Sequence, residues 1–421
     1  MTRDSAAFEN AAGSDASERA LLDKVRPIPR ISIQAFCETD GVAAPLEKAG
    51  TDRRMAKAHL KVQMGGIRAA TEHFSSAPTP NLVFLESRQP PHEMLADLET
   101  LAEVCDPGSR VVIIGHYNDV QLYRDLVRNG ISEYLVAPIS LADVMGVISS
   151  LFVADDAEPL GRSIAFVGAK GGVGSSTIAH NVAWSISKLF ASDVVLADLD
   201  LPFGTANINF DQDPAQGIAE AIFSADRMDD VLLDRLLAQC AEHLSLLAAP
   251  SILDRTYDFG PDAFSALIET AQRSAPAVVL DVPHAWGDWT REVLASADQI
   301  VLTATPDLAN LRNAKNLVDT LKKLRPNDAA PHLVLNQLQV PKRPEISASE
   351  FSAPLGLEPI AEIAFDPNAF GNAANSGRMI AETDAKHPSI EAFHHIAHVL
   401  TGRGEAKKPK KAGLLDRLRR K

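Results

Sequence analysis

Short apolar runs alternate with longer, mixed stretches over most of this chain. In its first part, five apolar runs are typical of buried strands, at residues 31–36, 59–64, 82–87, 110–115 and 132–138. Between them, residues 94–104 and 120–130 carry apolar side chains at helical spacing, and Gly130 ends the second of these stretches. Strands that alternate with helices predict a parallel sheet covered by helices on both faces.

A second series of the same kind follows. Its apolar runs lie at residues 163–169, 193–200, 244–250, 277–283, 299–306 and 332–338. The fold class is therefore predicted as α/β, with two doubly wound parallel-sheet domains. The predicted organisation is a disordered leader (1–28), a first domain (29–153), a polar linker with Pro and Gly (154–162), a second domain (163–400) and a basic tail (401–421).

Composition places the chain among ordinary globular proteins. It has 421 residues, of which 46% are hydrophobic and 23% charged. No apolar run approaches the ~20 residues that span a bilayer, and the first residues lack the basic and apolar regions of a secretory signal. We therefore expect a cytoplasmic protein. Cys37, Cys105 and Cys240 are far apart, which favours reduced thiols over metal or redox roles.

The net charge of −14 is unevenly distributed. Residues 401–421 contain nine Lys or Arg and two acidic residues, so this tail carries +7 and the remainder −21. An acidic body argues against broad binding to DNA, where basic side chains replace counterions. In the tail, Leu414, Leu415 and Leu418 share one helical face among basic residues, which is typical of a peripheral membrane or partner contact. A solvated basic end is the alternative.

The first turn of the second series is rich in glycine. The run Ala169-Lys170-Gly171-Gly172-Val173-Gly174-Ser175-Ser176-Thr177 follows an apolar strand and precedes a helical pattern. Glycines let backbone N–H groups surround phosphate oxygens, and the helix N-terminus adds partial positive charge. This context predicts nucleotide binding by residues 170–177, with the Ser176 hydroxyl as a ligand of Mg²⁺.

Two positions depart from the general phosphate-loop pattern GxxxxGK[ST]. Ala169 stands for the first glycine, and Ser175 stands for the lysine that places a charge beside the β- and γ-phosphates. A neutral hydroxyl makes a weaker contact than a charged amine. We therefore expect weak or absent hydrolysis of ATP.

Polar side chains end three later strands of this series. Asp198 and Asp200 close one strand and Asp281 closes another, at the sheet edge where ligands collect in open α/β folds. Carboxylates there hold the water shell of Mg²⁺ and orient a water molecule for attack. Asn336 ends a third strand, and its amide offers the donor and acceptor that the adenine edge requires.

The loop with its early lysine resembles the deviant phosphate loop of MinD/ParA ATPases. This resemblance implies ATP and Mg²⁺ as cofactors and a homodimer in which Lys170 reaches the partner's ATP. It also implies that Asp198 and Asp281 lie near Mg²⁺, and that Asp200 positions the attacking water. The replaced lysine, Ser175, is similar to the atypical CpaE/TadZ branch, which implies an ATP-dependent localisation switch for pilus or secretion machinery of the Flp/Tad type.

The first domain resembles a response-regulator receiver that lacks its chemistry. Glu86 stands at the phosphoacceptor position, Ala35 and Phe36 at the acidic pair, and Ala137 at the lysine position. We therefore expect a docking or dimerisation module. Glu86 is interpreted as an inert structural residue, with mimicry of a phosphorylated aspartate as the alternative.

Two further questions stay open at the level of sequence. A scaffold that binds nucleotide without hydrolysing it is a second hypothesis for function, and a DNA-partition ATPase is a third that the acidic body disfavours. Trp286 and Trp289 are either partner-binding surface residues or part of the core.

Overall fold

The computed structural model describes residues 18–19, 21–22, 25–153, 160–251, 253 and 256–403. The chain divides into two compact units, Met1–Ala157 with Arg325–Asp328, and Glu158–Leu324 with Ala329–Lys421. The predicted membrane or partner contact of the basic tail, in residues 404–421, lies outside the described residues, as do residues 1–17 of the predicted leader and 154–159 of the predicted linker.

The first unit contains a parallel sheet of five strands with the order β2-β1-β3-β4-β5. The strands are β1 (Ser32–Cys37), β2 (His59–Met64), β3 (Leu82–Ser87), β4 (Arg110–Gly115) and β5 (Glu133–Val136). The helices are α1 (Asp40–Gly50), α2 (Gly66–Phe74), α3 (Pro91–Ala102), α4 (Val120–Arg128) and α5 (Leu141–Phe152).

Both faces of this first sheet are covered by helices. Every residue of the central strand β3 is buried, which explains its continuous apolar run. The predicted leader reaches into this core, because Leu22 is 3% exposed and Ile28 is fully buried within the cluster that packs against α1 and α5. Leu22 and Ile28 therefore pack with the first domain, although the predicted boundary at residue 29 assigned them to the leader.

The second unit contains a sheet of eight strands with the order β13-β12-β11-β6-β10-β7-β9-β8. The strands are β6 (Arg162–Gly168), β7 (Val194–Asp198), β8 (Ala238–Ala241), β9 (Leu244–Leu247), β10 (Ala277–Val282), β11 (Gln299–Ala304), β12 (His332–Leu338) and β13 (Pro359–Ala364). All neighbours pair in parallel except β8, which runs antiparallel to β9 at one edge.

Helices cover both faces of the second sheet. They are α6 (Ser175–Phe190), α7 (Ala206–Asn209), α8 (Ile218–Phe223), α9 (Asp230–Leu236), α10 (Ser265–Ser274), α11 (Asp288–Ser296), α12 (Leu308–Leu324), α13 (Ala348–Leu355), α14 (Pro367–Asn375), α15 (Ile380–Thr383) and α16 (Ser389–Thr401). Two separate apolar clusters fill the spaces on either side of the sheet. The predicted fold class is confirmed, although the edge strands β8 and β13 were not predicted from the sequence.

The strand order determines where the functional residues meet. β6 lies between β10 and β11, and Asp281 of β10 pairs in register with both Phe166 of β6 and Asp198 of β7. Because these strands are parallel, their carboxyl ends lie at one edge of the sheet, where the glycine loop follows β6. Within the described residues, no helix is both long and apolar enough to span a bilayer.

Candidate nucleotide-binding site

The glycine loop joins the buried strand β6 to the first turn of α6. Gly172 and Gly174 have positive φ angles of 79° and 87°, which residues with a Cβ rarely adopt. A Cβ at Gly174 would also lie 2.5 Å from the amide nitrogen of Asn336. The loop therefore needs glycine at these positions for its backbone to curl around a ligand.

Side chains from outside the loop bind its carbonyl oxygens. His284 bonds the carbonyl of Gly168 (2.9 Å), Asn313 that of Ala169 (3.0 Å), Gln337 that of Gly172 (2.9 Å) and Asn336 that of Val173 (2.8 Å). None of the described residues accepts a hydrogen bond from the N–H groups of 171–174. These side chains thus hold the loop through its carbonyl oxygens while its N–H donors remain available, which is the arrangement that phosphate oxygens require.

A cavity of about 850 Å³ opens in front of this loop. Its walls are formed by the loop, by the segments after β7 and β10, and by the aromatic side chains of Tyr257, Phe259 and Trp289. The lining residues are Gly168, 170–177, 199–203, Tyr257, Phe259, 282–285, Trp289 and Gln337. The volume lies within the range of small-molecule sites.

Two buried carboxylates lie beside the start of α6. The hydroxyl of Ser176 donates to Asp281 (3.2 Å), and Asp198 accepts bonds from the N–H groups of Asp200 (3.2 Å) and Ala206 (3.0 Å). Burial, together with the nearby charge of Asp281, raises the pKa of Asp198 to about 7. Two carboxylates crowded in this way favour a bound cation, which lowers the cost of ionising both.

These residues fit a magnesium site only in combination with other ligands. Within the described residues, no group of three or more His, Cys, Asp or Glu side chains is arranged to hold a metal ion. Mg²⁺ commonly binds one or two carboxylates and completes its shell with water and phosphate oxygens. That Ser176, Asp198 and Asp281 would supply the protein's share of such a set stays a prediction.

A buried histidine lies close to one of these carboxylates. His180 of α6 is 1% exposed, and its Nε2 lies 3.2 Å from Oδ2 of Asp281. Its Nδ1 lies 3.1 Å from the amide nitrogen of Asn209 in α7. Since that amide nitrogen can only donate, Nδ1 accepts and the ring proton lies on Nε2. Nε2 is close to Asp281 but makes no hydrogen bond of good geometry with the described residues, so the contact between His180 and Asp281 is one of proximity.

Lys170 and Asp200 occupy more open positions. Lys170 is exposed on the loop. Burial would raise the pKa of Asp307, but hydrogen bonds from Asn310 and Thr305, with the charge of Lys170, hold that pKa below its usual value. Asp200 is half-buried at the cavity wall, and burial and the charge of Asp281 raise its pKa.

The other predicted site residues differ in their surroundings. Asn336 is 6% exposed, and its amide nitrogen donates to the loop. The adenine contact stays a prediction, and only the amide oxygen of Asn336 would remain to make it. The hydroxyl of Ser175 is buried and has no hydrogen-bond partner among the described residues. Trp289 stacks near Phe264 with ring centroids 4.6 Å apart, whereas Trp286 is 55% exposed.

In the first unit, Glu86 has a structural environment. Its side chain is fully buried and accepts bonds from the N–H groups of Glu38 (2.7 Å) and Thr39 (2.8 Å), from the Thr39 hydroxyl (2.7 Å) and from His116 (3.0 Å). Burial opposes ionisation of Glu86, but these bonds outweigh it and lower the pKa. The carboxylate therefore anchors the start of α1, which supports the structural interpretation.

Comparisons with known proteins agree with this geometry. An AAA domain family model matches residues 161–334. MinD from Bacillus subtilis is 23% identical over 257 residues, which cover 58% of this chain and 90% of that protein. A ParA family ATPase from Chlorobium tepidum is 26% identical, with a TM-score of 0.52, over 56% of this chain and 98% of its own.

A second solved structure is closer in sequence. The pilus assembly protein CpaE from Caulobacter crescentus is 43% identical over 31% of this chain and 98% of its own, with a TM-score of 0.30. The chain belongs to the CpaE-like branch of the MinD/ParA family. The predicted resemblance to CpaE/TadZ proteins of the MinD/ParA family is confirmed.

Several functional residues were missed in the sequence analysis. His180 follows Ser176 by four residues on the same helix, so its position on the Ser176 face could have been predicted. His284 directly follows Pro283 at the end of a site strand. The contacts that Asn313 and Gln337 make with the loop depend on the tertiary fold, and their sequence positions carry no motif.

Proposed function

We propose that this chain is an ATP-binding switch that positions a pilus assembly machine through a nucleotide-dependent dimer. The observation that carries the proposal is the glycine loop. Four external side chains hold its carbonyls, while its N–H groups between 171 and 174 have no acceptor among the described residues. Such an array of donors at a helix N-terminus binds phosphate groups.

Magnesium binding is supported by the cluster next to the loop. The Ser176 hydroxyl lies in the cavity wall and is bonded to buried Asp281, while Asp198 lies behind the same wall. A bound Mg²⁺ would neutralise phosphate charge. Ser176 and Asp281 would hold it, with His180 close to Asp281.

Slow hydrolysis is supported by the chemistry of position 175. A lysine there would place a charge beside the terminal phosphates, whereas Ser175 offers a hydroxyl. Asp200 lies at the cavity wall and would orient an attacking water. Its raised pKa makes it a better proton acceptor than an exposed aspartate.

Dimerisation through this edge of the sheet is supported by exposed apolar side chains around the loop. Phe203 follows β7 and is 72% exposed, Trp286 follows β10, and Leu308 follows β11 and is 75% exposed. Exposed Lys170 lies at the same edge. A second copy that covers this face would remove apolar surface from water and bring Lys170 to the partner's nucleotide.

The role in pilus assembly rests on the relative from Caulobacter crescentus, which is a pilus assembly protein. The first unit would provide the surface that docks onto other components, because it lacks the residues for phosphotransfer. Peripheral placement at the inner membrane face or a cell pole belongs to the same proposal.

A scaffold that binds nucleotide without hydrolysing it is the second candidate, and the unbonded Ser175 hydroxyl favours it. ATP turnover by the unsubstituted protein, Lys170→Ala and Asp200→Ala distinguishes the two. Turnover that falls in both variants supports a switch reset by hydrolysis. An identical background in all three proteins leaves the scaffold.

Nucleotide binding itself is tested by calorimetry with ATP and Mg²⁺. We expect saturable binding that weakens in Asp281→Asn and when Mg²⁺ is chelated. Asp234→Asn, an exposed position on α9, is the matched control. Absence of binding by the unsubstituted protein would refute the proposal.

A further inference from the structure

The phosphate loop of this protein lacks its usual cation. Ser175 occupies the lysine position, and its buried hydroxyl has no partner among the described residues. Among the described residues that line the cavity, only Lys170 and His284 have basic side chains. Lys170 is exposed, and its charge acts on Asp307 at the start of α12.

His284 and Ser175 line the same cavity. Its Nδ1 is 2.9 Å from the carbonyl oxygen of Gly168, and a Cβ built on Gly168 would lie 3.7 Å from that of Ser175. A carbonyl oxygen only accepts hydrogen bonds, so Nδ1 carries a proton. His284 is exposed, and it lines the cavity.

His284 bonds the opposite end of the loop from Asn336 and Gln337. It follows Asp281, the magnesium-side carboxylate, by three residues, and it bonds the beginning of the loop. Asn336 and Gln337 bond the other end, at Val173 and Gly172. If Asp281 held Mg²⁺, the ion would favour a nucleotide whose terminal phosphates lie toward Asp281, which is the end of the loop that His284 bonds.

We propose that His284 replaces the missing lysine as the positively charged contact to the terminal phosphate of ATP. With Nδ1–H bonded to Gly168, Nε2 must also carry a proton to donate to a phosphate oxygen, so the ring binds as an imidazolium. The titratable groups that line the same cavity are Lys170, Asp200 and Tyr257. This inference rests on the proposed nucleotide function and adds a residue that distinguishes ATP from ADP.

The test is equilibrium binding of a non-hydrolysable ATP analogue and of ADP, each with Mg²⁺. The key variant is His284→Asn, whose short amide can still donate to Gly168 but has no group at the position of Nε2. His243→Asn is the matched control, because His243 also bonds through Nδ1, to Asp193 (2.8 Å), but precedes β9 at the opposite edge of the sheet.

We expect His284→Asn to weaken binding of the ATP analogue about tenfold to hundredfold, as for the loss of a charge-assisted hydrogen bond, and to change ADP binding less than about twofold. His243→Asn should behave like the unsubstituted protein.

Three outcomes would overturn the inference. Equal losses for both nucleotides would assign His284 to loop structure alone, and unchanged affinity for the analogue would remove it from the site. If the unsubstituted protein binds neither nucleotide, the proposed function fails together with this inference. Binding of both nucleotides by the unsubstituted protein therefore separates failure of the inference from failure of the function.

Discussion

The buried carboxylate of Asp198 provides a quantitative test of the site's electrostatics. Its side chain is 1% exposed, and burial and the neighbouring Asp281 raise its pKa from 3.8 to about 7. Ionised Asp198 therefore destabilises the folded protein when no cation is bound. Replacing it with asparagine, which has nearly the same shape and no charge, should relieve this cost.

The sign and size follow from proton linkage. Between about pH 4 and pH 7 the folded protein retains a proton on Asp198 that the unfolded chain has released, so its contribution to stability falls as pH rises. One pKa unit corresponds to about 1.4 kcal/mol. From pH 5 to pH 7 the stability of Asp198→Asn relative to the unsubstituted protein should rise by about 2 kcal/mol, and it should level off above pH 7.

The assay is urea unfolding in the presence of a chelator between pH 5 and pH 8, followed by tryptophan fluorescence. All three tryptophans lie in the second unit, so the signal reports on the unit that contains the site. Asp234→Asn, exposed on α9, should show no such trend. A stability difference for Asp198→Asn that does not change with pH would refute the reasoning.

Three further substitutions test other parts of the structure. Gly204→Ala would place a methyl group against the carboxylate of Asp198 and should cost about 1–3 kcal/mol in urea unfolding, whereas Gly171→Ala, which has open space, should not. Asn336→Ala should cost about 1–3 kcal/mol in the same assay and weaken ATP binding in calorimetry, because the buried loop loses a hydrogen bond; unchanged values in both would contradict this. Glu86→Gln should destabilise the first unit by at least about 2 kcal/mol, seen as faster hydrogen exchange at the start of α1, since the amide cannot accept all four bonds. The lowered pKa of Glu86 also predicts that its stabilisation of the first unit is lost as pH falls below the usual glutamate range. Equal hydrogen exchange at the start of α1 in Glu86→Gln and the unsubstituted protein at pH 7 would contradict the structural role.

Much of the fold could be predicted from the sequence because both sheets are covered on both faces. β3, β7 and β10 are buried along their whole length, so each appears as an uninterrupted apolar run. The edge strands β8 and β13 have half-exposed or exposed residues along their length, and their patterns were too weak to detect. Leu22 and Ile28 were assigned to the leader because isolated apolar residues carry no periodic signal.

The candidate site was predictable where chemistry follows a local motif. The glycine loop is contiguous, and Asp198, Asp200 and Asp281 lie at or just after the ends of apolar strands. The residues that hold the loop come from α12, β12 and the segment after β10, and only the strand order brings them together. The buried bond of Asn336 to Val173 likewise depends on how β12 approaches the loop.

The central claim is that ATP controls the association of this protein with a second copy. Sedimentation of the full chain without nucleotide, with ADP, and with a slowly hydrolysed ATP analogue plus Mg²⁺ tests it directly, alongside Lys170→Ala. We predict a dimer only in the presence of the ATP analogue and Mg²⁺. The dimer should be reduced or lost in Lys170→Ala, because the side chain that would reach the partner's nucleotide is removed. The same oligomeric state in every condition would contradict the switch.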